Sequence, residues 1–174
     1  MLFAAAVLAL LAGSANAEVA DAAAGGFTIK HTLTINAAPG DVYKQFIRIG
    51  DWWSPVHTYS GDAHNLSMEE KPGGCFCEKF PGGGVRHMAV VTVMPVRRLV
   101  MIGGLGPLQS MAATGSMTID FAAAGDGTKL TVTYAVMGYS AAGMNVLAAP
   151  VDGVLGEQLQ RLKALIEHGS LPAK

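Results

Sequence analysis

The stretch PVDGVLGEQLQRLKALIEHG, residues 150–169, has the period of an amphipathic helix. Its apolar residues recur at intervals of three and four, the spacing of one helix face. They are Val151, Val154, Leu155, Leu159, Leu162, Leu165 and Ile166. Pro150 suits the first turn of a helix, and Gly169 followed by Pro172 suits its end. The stretch therefore predicts a long C-terminal helix with one apolar face.

Two glycines, Gly153 and Gly156, lie within the first turns of this helix. Each costs about 1 kcal/mol relative to alanine in a helix interior. They allow a neighbouring element to pack closely, leave space for a ligand, or are merely tolerated. The sequence leaves these three alternatives open.

The chain before this helix is dominated by strand patterns. Residues 27–35 (FTIKHTLTI) alternate apolar and polar, which is typical of a strand with one buried face, and a helix follows from Pro39. Further strands are predicted at residues 66–70, 75–80, 85–94, 98–105, 115–122 and 129–137. A curved antiparallel sheet wrapped around one long helix buries the apolar faces of both. We therefore predict an α+β domain with a cavity where the sheet does not close fully on the helix.

The N-terminal residues 1–17, MLFAAAVLALLAGSANA, form an apolar run that ends in a small-x-small pattern. This favours a signal peptide cleaved after Ala17 and a periplasmic or secreted protein, although no Lys or Arg precedes the run. The alternative is a buried N-terminal helix. The run is shorter than the about 20 residues of a membrane span, so we expect no stable membrane insertion after processing. Residues 18–26 are predicted to be a flexible leader, and residues 170–174 a tail.

The overall composition limits the kinds of molecule that the protein is expected to bind. Charged residues make up 14% of the 174-residue chain, the net charge is −1, and the 12 Lys and Arg residues are scattered. This charge content is low against the roughly 25% that is typical of soluble domains. Nothing in this pattern indicates nucleic-acid binding. The sequence contains no internal repeat or linker between domains, and it does not indicate the oligomeric state.

Several segments, taken in order, resemble the helix-grip superfamily called SRPBCC. They are AAPGDVYKQF (37–46), DWWSP (51–55), GGCFCE (73–78), VTVMPVRRLV (91–100) and the C-terminal helix. The resemblance covers about residues 27–169 and is closest to the polyketide-cyclase and chaperone-ATPase-activator-like branch. It implies a curved sheet of about seven strands around the C-terminal helix. It also implies a cavity that binds apolar ligands, with catalysis in a minority of members, so that the fold does not settle the function.

The stretch GGCFCEKFPGGGVRHM, residues 73–88, carries the strongest candidate site. Alternation on a strand places Phe76 and Glu78 on one face, and the turn at residues 81–84 brings Glu78 beside His87 on the next strand. The pair is a polar anchor for a ligand or, if the protein is an enzyme, its catalytic acid–base pair. The alternative is a cross-strand pair on a solvated face. A one-residue bulge would reverse the predicted facing.

The two cysteines of this stretch, Cys75 and Cys77, are expected to be two buried small residues. The alternative is a disulfide between them, which a pair of cysteines in a secreted protein invites. Residues i and i+2 of a strand lie about 6.5–7 Å apart, at the limit for a disulfide. A metal site is not predicted, since these cysteines and the histidines lack the C-x2-C or H-x3-H spacing of zinc sites. We also expect no cofactor.

Further ligand-binding candidates come from two loops and one strand. One tryptophan of the loop at residues 51–66 is expected in the core, and the other, Trp53, in contact with ligand. The loop at residues 137–145, MGYSAAGMN, is expected to form a lid, or alternatively an ordinary surface loop. The predicted ligand-binding residues are Trp53, His57, Tyr59, Phe76, Glu78, His87, Tyr134, Tyr139 and Met144. His31, on the apolar face of residues 27–35, is predicted to be a core histidine.

These observations favour a carrier or binding protein for a small apolar or aromatic molecule. The first alternative is a cyclase- or hydratase-like enzyme that uses Glu78 and His87. The second is a chaperone-like interaction module, which predicts a filled core and an exposed apolar patch. The sequence has no G-x-S-x-G motif, so a hydrolase elbow is absent.

Overall fold

The computed structural model describes residues 16–172 of the chain as one antiparallel sheet packed against a long helix. The strands are β1 (Asn16–Ala23), β2 (Gly26–Ile35), β3 (Leu66–Met68), β4 (Cys75–Phe80), β5 (Gly83–Met94), β6 (Arg98–Ile102), β7 (Ala112–Ala124) and β8 (Gly127–Tyr139). The helices are α1 (Pro39–Ile47) and α2 (Ala148–His168). Short 3₁₀ turns occupy Ile49–Asp51, Pro55–His57, Ala63–Asn65, Gly106–Ser110 and Met144–Leu147. The predicted α+β helix-grip architecture is confirmed.

The sheet has eight strands in the order β1-β2-β8-β7-β6-β5-β4-β3. The strand that the sequence did not predict is β1, which lies at one edge and pairs with β2 from Asn16↔Thr32 to Ala23↔Gly26. The structure thus places most of the predicted flexible leader in an edge strand. The sequence signal for β1 is weak because its side chains are mainly small. Val19 of this strand packs against the core.

The predicted signal peptide lies almost entirely outside the described residues. Strand β1 begins at Asn16 and therefore includes the predicted cleavage point after Ala17. Within residues 16–172, neither helix is long and apolar enough to cross a membrane.

Helix α1 fixes the loop that follows it through an aromatic cluster. Phe46 packs against Phe121 of β7 and against Trp52, with ring centroids 5.5 Å apart in both pairs. The indole nitrogen of Trp52 donates a hydrogen bond to the Phe46 carbonyl at 3.1 Å. Trp52 is therefore the core tryptophan, and its neighbour Trp53 is held at the edge of the core.

Helix α2 packs its apolar stripe against the sheet and ends at His168, before the capping residue Gly169, whose backbone is left-handed with φ 68°. At Gly156 an added Cβ would lie 3.2 Å from Cε1 of His31, whereas at Gly153 it would meet nothing within 4 Å. Gly156 therefore permits close packing on β2, and Gly153 is tolerated. His31 is buried as predicted, with Nε2 2.9 Å from the Asp152 carboxylate on α2.

Candidate functional site

A cavity of about 560 Å³ lies between the first turns of α2, the loop after α1 and the connection from β6 to β7. Most of the side chains around it are apolar. They are Trp53, Val56, His57, Thr58, Tyr59, His87, Leu105, Gly106, Pro107, Leu108, Met111, Leu147, Pro150, Val151, Val154 and Leu155. Val56 and Tyr59 are exposed to solvent and mark the mouth of the cavity.

The buried carboxylate of Glu78 lies behind one wall of this cavity and holds that wall by hydrogen bonds. Its side chain is 0% exposed. The backbone N–H groups of Tyr59 and Ser60 donate to it at 3.1 and 2.6 Å, and Nε2 of His87 lies 3.2 Å away. Burial by itself raises the pKa of Glu78, but the hydrogen bonds from Ser60, Tyr59 and His87 outweigh it and hold that pKa below its ordinary value. Glu78 is therefore an ionised hydrogen-bond acceptor.

His87 is the polar side chain that connects Glu78 to the cavity, since it contacts Glu78 and lines the cavity. It is 5% exposed, and its ring lies between Phe76 and Tyr59, with centroids 4.7 and 5.9 Å away. Burial lowers the pKa of His87 below its ordinary value, more than the Glu78 carboxylate raises it. The imidazole is therefore neutral at neutral pH. Because a carboxylate only accepts, Nε2 carries the proton and Nδ1 keeps the lone pair.

A β-bulge sets the position of His87. Phe76 of β4 pairs with Met88 and Cys77 pairs with Arg86, so that His87 is an extra residue with no partner on β4. His87 and Met88 are consequently both buried, although neighbours on a regular strand face opposite sides. The hairpin prediction brought Glu78 and His87 together, and the structure places them diagonally on the inner face. The bulge adds an inward side chain without reversing that face.

Three other predicted residues line the cavity, namely Trp53, His57 and Tyr59. The indole nitrogen of Trp53 donates to the His57 carbonyl at 2.9 Å, which ties the ring to the loop that forms the mouth. Nε2 of His57 lies 3.2 Å from the Glu157 carboxylate on α2. These contacts hold the loop after α1 against α2.

Two predicted ligand-binding residues, Phe76 and Glu78, do not line the main cavity, because the His87 ring stands in front of them. Tyr134 does not line it either. Its hydroxyl donates to the Gly103 carbonyl at 2.9 Å and accepts from the Leu105 N–H at 3.2 Å. Burial raises the pKa of Tyr134 to about 12, so this residue holds the cavity wall as a neutral phenol.

The predicted lid residues also lie away from the cavity. Tyr139 is 73% exposed at the end of β8, and Met144 is fully buried in the core. The Met144 N–H donates to the Ala24 carbonyl at 2.8 Å, which fixes this loop to the turn between β1 and β2. Leu147, at the start of α2, lines the cavity in their place.

Comparison with known proteins identifies the family of the chain. Residues 26–167 match the family model described as polyketide cyclase / dehydrase and lipid transport. The chain belongs to that family. No curated protein sequence matches it significantly.

Solved structures share the fold of this family member at low sequence identity. The Aha1 dimer structure from Colwellia psychrerythraea has a TM-score of 0.60 and 17% identity, over 82% of this chain and 98% of that one. CalU16 from Micromonospora echinospora has a TM-score of 0.61 and 18% identity, over 95% and 81% of the two chains. DynU16, a protein in the dynemicin biosynthetic locus, has a TM-score of 0.60 and 18% identity, over 83% and 48%.

The favoured prediction for the cysteines of this family member was wrong, and the alternative is found, because Cys75 and Cys77 form a disulfide. Their Cα atoms are 5.4 Å apart, which is closer than a regular strand allows. The contraction occurs opposite the bulge at His87, a feature that alternation does not reveal. In residues 16–172, no group of three or more His, Cys, Asp or Glu side chains is placed to hold a metal ion.

Sequence reasoning missed two parts of the cavity wall. The connection from β6 to β7 contributes Leu105, Leu108 and Met111, and the start of α2 contributes Val151 and Val154. The helix residues belong to the predicted apolar stripe, which gave the signal for burial but not for a cavity. No pattern in the connection distinguished a cavity wall from an ordinary loop.

Proposed function

We propose that this protein binds a small apolar or aromatic molecule in the cavity, with His87 as the polar anchor. The observation that carries the proposal is a buried neutral histidine, held by Glu78, in a wall that is otherwise mainly apolar. A volume of about 560 Å³ lies in the range of small-molecule sites. The family description, which includes lipid transport, supports the same class of ligand.

The chemistry of the anchor favours ligands that donate a hydrogen bond. Since Nε2–H of His87 is directed to Glu78, Nδ1 is an acceptor for a hydroxyl or N–H group of the ligand. Apolar contacts with Trp53, Leu105 and Val154 supply affinity by removing surface from water. One such hydrogen bond adds about 0.5–1.5 kcal/mol, a factor of about 2–10 in affinity.

This proposal is tested by comparing 2-naphthol with 2-methylnaphthalene, which lacks the donor. We expect His87→Phe to weaken 2-naphthol binding about 2–10-fold and to leave 2-methylnaphthalene binding nearly unchanged. Val151→Trp should weaken both ligands because it fills the cavity. His64→Gln, on the surface and outside the cavity lining, is the control. Binding that Val151→Trp leaves intact would place the ligand elsewhere and refute the proposal.

A cyclase- or hydratase-like activity is the second candidate, and the Glu78–His87 hydrogen bond favours it. Neutral His87 can accept a proton at Nδ1, and the ionised Glu78 stabilises the resulting imidazolium. NMR measurement of the exchange between solvent and the carbon-bound protons of benzoylacetone, an aromatic β-diketone, tests this chemistry directly. We expect exchange above the solvent rate that is lost in His87→Phe. Exchange equal in the two proteins would exclude His87 as the base.

The interaction-module alternative has less support. It predicted a filled core, whereas the structure has a cavity large enough for a ligand.

We also propose that the protein is exported and processed after Ala17. The apolar residues 1–17 and the Cys75–Cys77 disulfide support this, since disulfides persist in oxidising compartments. Processing there would shorten β1 to residues 18–23. Intact mass spectrometry of protein recovered from the export compartment should give a chain that begins at Glu18. A chain that retains Met1 would contradict the proposal.

A further inference from the structure

The Cys75–Cys77 disulfide lies directly opposite the β-bulge that presents His87 to the cavity. Cys75 pairs with Ala89 and Cys77 pairs with Arg86, so the two cysteines bracket the bulge. Across this interval β4 has three residues and β5 has four. The disulfide and the bulge are therefore two parts of one local irregularity in the sheet.

The lengths of the two strands explain how these parts are connected. A regular strand rises about 3.2–3.4 Å per residue, so residues i and i+2 are about 6.5 Å apart. The disulfide holds the Cα atoms of Cys75 and Cys77 at 5.4 Å. The four residues of β5 must fit beside this shortened segment. A strand with an extra residue fits beside a shorter partner when its backbone leaves the extended conformation locally, and this local change is a β-bulge.

Two contacts of His87 come from this part of β4. Phe76, between the cysteines, packs on the His87 ring with centroids 4.7 Å apart. Glu78, which follows Cys77, lies 3.2 Å from Nε2 of His87. A change in the Cys75 to Cys77 spacing therefore moves Phe76 and Glu78 relative to the imidazole.

We propose that Cys75 and Cys77 are positioning residues, whose disulfide holds the bulge and with it the Glu78–His87 hydrogen bond. Both cysteines are half-buried on the face of β4 opposite Phe76 and Glu78, so a reductant reaches them without entering the cavity. A dithiol reduces the bond by thiol–disulfide exchange. One of its thiolates attacks a sulfur and displaces the other cysteine as a thiolate, and its second thiol resolves the mixed disulfide. The protein gains two thiols and the reductant becomes a disulfide.

Reduction allows β4 to extend by about 1 Å between the two cysteines, toward the regular strand spacing. The bulge then relaxes, the imidazole moves away from Glu78, and His87 becomes more exposed to water. Burial is the main cause of the depressed pKa of His87, so its titration midpoint should rise toward the ordinary value of 6.5. The fixed Nε2–H tautomer should give way to a mixture of tautomers.

The test follows the histidine rings by NMR in the ligand-free protein, before and after dithiothreitol, with labelled imidazole nitrogens and Cε1. We expect an upward shift of the His87 midpoint and loss of its single tautomer. The double variant C75S/C77S should behave like the reduced protein and should not respond to dithiothreitol. His31 is the internal control, because it lies on β2 and pairs with Asp152.

Two outcomes would overturn the proposal. The first is an unchanged His87 midpoint and tautomer when alkylation shows both thiols to be free. The second is a His31 signal that changes together with that of His87, with loss of secondary structure in circular dichroism. The disulfide would then stabilise the whole domain instead of positioning His87. Neither readout uses a ligand, so the result is independent of the proposed binding function.

Discussion

Replacing Glu78 with glutamine removes a buried charge while nearly preserving the shape of the side chain. The carboxylate accepts hydrogen bonds from Ser60 N–H on one oxygen and from Tyr59 N–H and His87 on the other, at 2.6, 3.1 and 3.2 Å. Glutamine keeps one acceptor oxygen. If that oxygen serves Tyr59 and His87, the amide NH₂ faces the Ser60 N–H, and two donors oppose each other.

The hydrogen bonds of Glu78 set the size of the expected loss in the free energy of unfolding. Hydrogen bonds to charged groups contribute about 1.5–3 kcal/mol each, and an unsatisfied buried donor costs about 1–3 kcal/mol. Glu78→Gln should therefore reduce the free energy of unfolding by about 2–4 kcal/mol at pH 7. Glu78→Ala, which removes every acceptor, should cost about 3–5 kcal/mol. Either loss is a large part of the about 5–15 kcal/mol that stabilises a typical domain.

The stability that Glu78 and His87 contribute decreases as the pH falls. The folded pKa of Glu78 is depressed, so its contribution is present above its ordinary value of 4.5 and is lost as the pH falls through the folded value. His87 is depressed from 6.5, so its neutral form also adds stability that is lost on acidification, at a higher pH. The wild-type protein should therefore lose stability from about pH 6.5 downward, and its advantage over Glu78→Gln should narrow below pH 4.5.

Urea unfolding followed by tryptophan fluorescence measures these differences, because Trp52 and Trp53 are both buried. The matched control is Glu157→Gln, which removes a carboxylate that is 46% exposed and should change stability by less than about 0.5 kcal/mol. A Glu78→Gln loss no larger than that of the control would refute the reasoning. So would a gap that stays constant between pH 7 and pH 3.5.

The remaining predictions concern the backbone. Gly153→Ala should stabilise the protein by up to about 1 kcal/mol, because its Cβ meets nothing within 4 Å. Gly156→Ala should be less stable than Gly153→Ala by about 1 kcal/mol or more, since its Cβ would lie 3.2 Å from His31; equal urea midpoints would contradict the packing argument. Val96, a β-branched residue with φ 65°, follows Pro95 in the β5–β6 turn. Val96→Asn should raise the free energy of unfolding by about 0.5–1 kcal/mol, and a lower midpoint in urea would count against strain at this position.

The residue pattern alone predicted the elements that have strong periodicity. The three- and four-residue spacing along residues 150–169 gave α2, and the alternation in residues 27–35 gave β2. The turn predicted at residues 81–84, which the structure confines to residues 81–82, brought Glu78 beside His87. These predictions succeeded because the period of a helix or strand and the geometry of a tight turn are local properties of the chain.

The cavity wall was less predictable, because it depends on contacts between distant residues. Leu105 lines the cavity since the Tyr134 hydroxyl, on β8, accepts its backbone N–H. Met144, expected in a lid, is buried because its N–H donates to the turn between β1 and β2. An apolar residue has the same sequence signature whether it fills the core or borders a cavity.

The sequence by itself determined the helix-grip architecture, the long C-terminal helix and the proximity of the acid and the imidazole. Only the tertiary structure decided that His87 faces the cavity while Glu78 lies behind it, and that Cys75 and Cys77 are joined. Both features lie where β5 carries one extra residue opposite β4. The alternation of a strand predicts which face a side chain occupies only where each residue pairs with one residue of the neighbouring strand. Whether a residue is left unpaired depends on that neighbouring strand, and its own sequence does not reveal it.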